Sequence, residues 1–288
     1  KGLLWGAINN GVQQVLVLAF GIILGRLLSP SEYGMVGMLT IFTLIGNSLQ
    51  ESGFRAALVN LKEIRHEDYN AVFWFNVGTS CVMYLLLFFL APLITEFYQH
   101  SDAAANQDLS ELTPLARFSF LGFVIASLGT AHYAYLFRTL QVKQKAIITV
   151  ISLTTSSTIG LTMALKGYAY WGLATQGIAF TTCNTILFWY FSKWRPTLPV
   201  SFHPLKEMFG FSSKLLANDI CNNINGNILS VMLGRFYAVH DVGLYNQANK
   251  WTSMVSTMVL GTIKDVAQPV LRNVETERER HKRVFRKM

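Results

Sequence analysis

The sequence predicts an all-α, polytopic membrane protein of about eight transmembrane helices: one six-helix lobe, then the start of a second lobe that repeats the first in parallel. Three observations predict this. Six stretches carry no Asp, Glu, Lys or Arg at all: 2–25, 33–50, 69–95, 118–137, 146–165 and 167–192. The cations that remain collect on alternate loops. Residues 9–34 also recur 209 positions later, Leu24-Gly25-Arg26 with Gly34 returning as Leu233-Gly234-Arg235 with Gly243. Overall hydrophobicity, 51%, decides nothing, but a charged content of 14% is well below the usual ~25% of soluble domains.

A helix needs roughly 20 mostly apolar residues to cross a bilayer, and the spans follow in order. The first, about 3–28, carries a polar stripe: Asn9 and Gln13 are one helical turn apart, as are Asn10 and Gln14. The second, 34–59, ends with Glu51 and Arg55, four residues apart and able to pair. The third, 70–97, and the fifth, 144–166, are apolar all round at 85–90 and 147–153, where a soluble helix would show a charged outer face. The fourth, 114–138, holds His132, the one histidine well inside a span, and the sixth covers 168–191. The seventh, 208–237, repeats the polar stripe as Asn218, Asp219, Asn222 and Asn223, extended by Asn225 and Asn227. The eighth, 245–271, reaches full length only if Lys250 and Lys264 are tolerated in or near the membrane.

Cations set the orientation. Arg55, Lys62 and Arg65 follow the second span. Arg138, Lys143 and Lys145 follow the fourth, and Lys193, Arg195 and Lys206 the sixth. A dense basic group from Arg272 to Lys287 follows the eighth. The other side has Arg26, Lys166, Arg235 and Arg117, and its longest loop carries Asp102, Asp108 and Glu111 without a cation. The N-terminus and the even-numbered ends are therefore expected in the cytoplasm. Repeats six spans apart then point the same way, related by an axis along the membrane normal. The expected division is a lobe over 1–196, the first two helices of a second lobe over 205–271, and a basic linker over 272–288. That linker accounts for much of the net charge of +8 and suits contact with anionic lipid rather than nucleic acid. The chain opens on Lys1 and stops inside basic sequence, and it is expected to be a piece of something longer.

Catalytic signatures are missing. Cys81, Cys183 and Cys221 form no CxxC, and there is no Walker loop, GxGxxG, HExxH, GxSxG or metal-spaced His/Cys group. No enzyme activity, cofactor or metal is expected. Polar groups facing lipid are expensive, so the two stripes turn inward. They either bond between helices or line a hydrated central cavity shared by both repeats. Arg55, Lys214, Lys264 and Arg117, with Lys250, outnumber the acids of the spans, which are Glu51, Asp219 and Asp265, with Glu96 at a margin. These cations either snorkel to the interface or make a cationic cavity for an anion such as a phosphate.

The residues then resemble a known family. The run from Leu24 through Ser29-Pro30-Ser31-Glu32-Tyr33-Gly34, then Glu51-Ser52-Gly53-Phe54 and Phe73-Trp74-Phe75-Asn76, are similar to Wzx-type polysaccharide flippases. So are Phe209-Gly210-Phe211, Ala217-Asn218-Asp219, Leu233-Gly234-Arg235 and Gly243-Leu244-Tyr245-Asn246. These flippases belong to the multidrug/oligosaccharidyl-lipid/polysaccharide exporter superfamily, and the likeness is nearest its colanic-acid-exporter-like branch. The resemblance implies a bacterial inner-membrane protein of two six-helix lobes. It would move an undecaprenyl-diphosphate-linked oligosaccharide to the periplasmic leaflet by alternating access, with polysaccharide polymerase machinery as a partner. Four to six helices of that pattern are absent from this chain. On this reading Arg55, Lys214, Lys264 and Arg117 hold the diphosphate, and the stripes wet the sugar path. Gly25, Arg26 and Gly34, with Gly234, Arg235 and Gly243, shape the periplasmic hairpins. An ion-coupled drug or metabolite antiporter on the same fold, and a non-transporting scaffold for polysaccharide synthesis, remain alternatives.

Overall fold

The computed structural model describes residues 2–51, 53–61, 63–99, 109–139, 141–254 and 256. Among these residues every regular element is an α-helix: α1 (Gly2–Leu27), α2 (Pro30–Glu51), α3 (Phe54–Asn60), α4 (His66–Gln99), α5 (Leu112–Arg138), α6 (Val142–Leu165), α7 (Ala169–Phe191) and α8 (His203–Phe236). Residues 239–254 are also helical. The chain forms two compact units, 1–243 and 244–288.

Among the described residues, three helices are long and apolar enough to cross a membrane by length and composition: α4, α5 and the 143–165 part of α6. Residues 11–27 of α1 add a shorter apolar stretch. The perimeter says the same. On α4, Val82, Leu85, Phe89 and Leu93 are exposed while Leu87, Ala91, Ile94 and Tyr98 on the other face are buried. A helix that is apolar on its buried and its outer face has lipid, not water, as its solvent. This is a multi-pass helical membrane protein.

The α1–α2 turn is set by a capping box. The Glu32 carboxylate accepts from the Ser29 backbone N–H and the Ser29 hydroxyl accepts from the Glu32 N–H, with Pro30 at the first helical position. The single second span expected over 34–59 is corrected by the structure, which splits it into α2 and α3. Gly53 between them has φ 71°, and a Cβ there would lie 2.3 Å from the Ser212 carbonyl oxygen of α8. A left-handed residue pressed against another backbone has room for glycine alone. Periodicity reads such a break as one continuous helix.

α4 packs antiparallel on α5, α5 on α7, α7 on α6, and α1 on α6, while α8 crosses α2, α3 and α4. Two cores result. One gathers Met38, Leu39, Tyr98, Phe120 and Phe123 with Val239 and Val242. The other gathers Phe54, Leu58, Phe73, Trp194 and Met208 around α3.

Candidate functional site

The two copies of the repeat touch each other at equivalent positions. A Cβ on Gly34 would sit 2.0 Å from the Val239 carbonyl oxygen, and one on Gly243 would sit 1.7 Å from the Pro30 carbonyl oxygen. Val239 follows Pro30 by the same 209 residues that separate Gly243 from Gly34. Residue i of one copy meets residue j of the other, and j meets i. That is the signature of a local two-fold axis, here between two segments of one chain. Close backbone approach through glycine is a common device for helix packing in membranes.

The other hairpin residues have separate duties. Gly25 and Arg26 are exposed on α1, and the turn itself is built by Ser29 and Glu32. Gly234 lies under the Tyr98 ring, 2.7 Å from where a Cβ would be. The Tyr98 hydroxyl donates to the Met38 carbonyl at 3.0 Å. Arg235 donates to the Phe97 carbonyl at 2.8 Å and covers the Phe97 ring, tying the end of α8 to the end of α4.

The proposed diphosphate residues are not brought into one place. Arg55 pairs with Glu51 and its guanidinium lies 4.5 Å from the centre of the Tyr133 ring. The pair is part-exposed, 39% and 35%, so its strength is limited by solvent. Asp219 of α8 is near enough to Glu51 to act on it electrostatically. Lys214 is exposed on α8, two residues from Ser212, which touches Gly53. Arg117 stands apart. It donates to the Phe88 carbonyl and lies over that ring. On α5 it is sixteen residues from Tyr133, about 24 Å at 1.5 Å per residue. Lys264 lies outside the described residues.

Of the polar stripe, Gln13 and Gln14 are half-buried on α1, and the side chains of Asn9 and Asn10 lie outside the described set. On α8, Asn218, Asp219 and Asn222 are exposed. Asn223 donates to the Ser48 hydroxyl of α2 at 2.9 Å.

Other polar residues join these that sequence periodicity does not reveal. Lys145 of α6 donates to the Tyr133 hydroxyl at 3.0 Å and lies over the Tyr133 and Phe137 rings. Read from sequence it is an ordinary loop cation. Arg138 donates to the carbonyls of Leu58, Val59 and Leu61, closing the C-terminus of α3. The segment after α7 is latched to the start of α4. Asn70 donates to the Thr197 carbonyl (2.8 Å) and accepts from its N–H (3.0 Å). His66 bonds the Thr197 hydroxyl, and the Trp194 indole donates to His66. No group of three or more His, Cys, Asp and Glu side chains fit to hold a metal occurs among the described residues.

The sequence is similar to known proteins. The family model described as "Polysaccharide biosynthesis protein" matches residues 23–288. The chain is 28% identical over 260 residues to a succinoglycan biosynthesis transport protein, ExoT, of Rhizobium meliloti, covering 90% of this chain and 50% of that one. It is 24% identical to the teichuronic acid biosynthesis protein TuaB of Bacillus subtilis, covering 94% and 54%. It is 26% identical to the lipopolysaccharide biosynthesis protein WzxC of Escherichia coli, covering 100% and 57%. The chain spans about half the length of these curated relatives. No solved structure matches it. The resemblance to Wzx-type flippases is borne out.

Proposed function

Because this chain belongs to the polysaccharide biosynthesis protein family, we propose that its full-length protein is a flippase. It carries an undecaprenyl-diphosphate-linked oligosaccharide from the cytoplasmic to the periplasmic leaflet of a bacterial inner membrane by alternating access. Residues 1–196 form its first lobe, 205–271 the first two helices of the second, and 272–288 a cytoplasmic linker. The N-terminus is cytoplasmic.

One observation carries this reading. The repeats meet at Gly34 and Gly243, while the polar row Asn218, Asp219 and Asn222 on α8 stays exposed. Exposed amides and a carboxylate in a membrane helix are expensive unless they face water. The helices join at the hairpin end, and on this reading the polar row of α8 borders a wet space away from it, as a carrier open to one side requires. Arg55, steadied by Glu51 and Tyr133, and Lys214 on the facing helix supply positive charge at that open end for the diphosphate, with Lys264 as the repeat counterpart of Arg55. Arg117, about 24 Å away along α5, steadies α4 instead.

The test uses the full-length protein in its own cells. Depletion should leave the lipid-linked oligosaccharide intact but closed to a membrane-impermeant sugar probe on spheroplasts. Arg55→Glu should do the same while the protein still inserts. An unchanged outer-leaflet pool after depletion overturns the flippase and favours an antiporter or a scaffold. Full complementation by Arg55→Glu and Lys264→Glu together removes the cationic site.

A further inference from the structure

A half-open cleft of ≈ 350 Å³ lies between α2, α5 and α7 of the first lobe, apart from the charged residues above. Its lining has no charged side chain among the described residues. Thr40, Thr43, Asn47, Ser119 and Thr181 supply all its side-chain polar groups, on an otherwise apolar wall. The three threonine hydroxyls donate back to their own helices, to the carbonyls of Val36 (3.3 Å), Leu39 (3.0 Å) and Gly177 (3.1 Å). That spends their protons and leaves oxygen lone pairs as acceptors. The side chains of Asn47 and Ser119 have no hydrogen-bond partner among the described residues. The cleft thus offers acceptors for incoming O–H groups, one amide that can give and take, and one free hydroxyl.

This chemistry selects its ligand. A bare cation or anion held here would meet no opposite charge among the described lining residues, and the mostly apolar wall gives it little in place of its water. An acyl chain would cover the Asn47 amide and Ser119 hydroxyl without bonding them, which is also unfavourable. A neutral ring with hydroxyls on its edge and C–H faces above and below satisfies both kinds of wall. The volume is at the lower end of the roughly 300–1,000 Å³ of small-ligand pockets, enough for one ring rather than an oligosaccharide. We propose that this cleft binds a single uncharged sugar ring. The inference rests on the flippase reading in one respect: the ring would be a unit of the carried saccharide.

Gly177 provides a clean test. It lines the cleft, and a Cβ there would meet nothing within 4 Å, so Gly177→Leu directs a side chain into the space from an unobstructed start and keeps α7 helical. The full-length protein is placed in nanodiscs, free of maltoside, and probed by saturation-transfer NMR with methyl glucopyranoside and methyl galactopyranoside. The expected result is a saturable signal, at least tenfold weaker in Gly177→Leu and Asn47→Leu. Gly78→Leu, at another glycine with open space but outside the cleft, should keep it. Absence of a wild-type signal, or one that Gly177→Leu leaves unchanged, overturns the proposal. A cleft held by sodium or an acyl chain gives the first of these. If depletion leaves the leaflet pool unchanged while the glycoside signal persists, the flippase reading falls and the site stands. Transport without any glycoside signal overturns the site alone.

Discussion

Adding one methyl group at either hairpin glycine should part the two repeats. The oxygens that a Cβ would meet are backbone oxygens, so no rotamer can relieve the contact. Moving from 2.0 Å at Gly34, or 1.7 Å at Gly243, to an ordinary contact of 3.4 Å needs a separation of 1.4 or 1.7 Å. Overpacking of this kind costs about 1–3 kcal/mol. Replacing glycine by alanine inside a helix returns up to about 1 kcal/mol, so the clash wins. Gly34→Ala and Gly243→Ala should each lower the thermal unfolding temperature of the full-length protein, followed in nanodiscs. Gly78→Ala, with nothing within 4 Å of its Cβ, should leave it level or raise it. The double variant discriminates further. One widening of the crossing relieves both clashes, so its loss should fall well short of the two single losses added together. Single variants as stable as wild type, or a fully additive double variant, would refute the shared two-fold contact.

Two further outcomes follow from the polar clamps. Arg138→Leu removes charged hydrogen bonds to three carbonyls at the end of α3 and should cost about 3 kcal/mol, seen as earlier thermal unfolding. Arg138→Lys should recover only part, because an ammonium lacks the planar fork. Asn70→Asp keeps the acceptor for the Thr197 N–H but loses the donor to its carbonyl. Limited proteolysis should then cut residues 193–202 faster than in wild type, while Asn70→Ala, which loses both bonds, should cut faster still.

Helix positions were legible because apolar runs and charge clumping report directly on a lipid solvent. The break at Gly53 was not, since it depends on α8 pressing its backbone at Ser212 into the gap, a contact that no local pattern encodes. Cations were legible as charges but not as partners. Arg117 and Arg235 each hold a backbone carbonyl and lie over an aromatic ring of α4, and Arg138 closes α3. Sequence spacing cannot separate these duties from that of Arg55, because each is set by a neighbour on another helix. The partner of Lys145 is hidden from the sequence for the same reason: α6 must pack before its first turn reaches Tyr133 on α5.

The repeat itself shows why some of its identities persist and others do not carry the same task. At Gly34 and Gly243 each copy presents its backbone to the other, so a side chain in either place strains a contact that both copies share. Glycine is required twice for one physical reason. Away from that axis the constraint lapses. Gly25 is exposed whereas Gly234 lies under the Tyr98 ring. Arg26 is exposed whereas Arg235 clamps Phe97. Asn223 bonds Ser48 across α8 and α2, and its repeat counterpart is Gln14, longer by one methylene. Matching letters at the 209 offset therefore identify a shared contact only where the two copies meet. Elsewhere they do not, and the role of each residue has to be read from what packs against it.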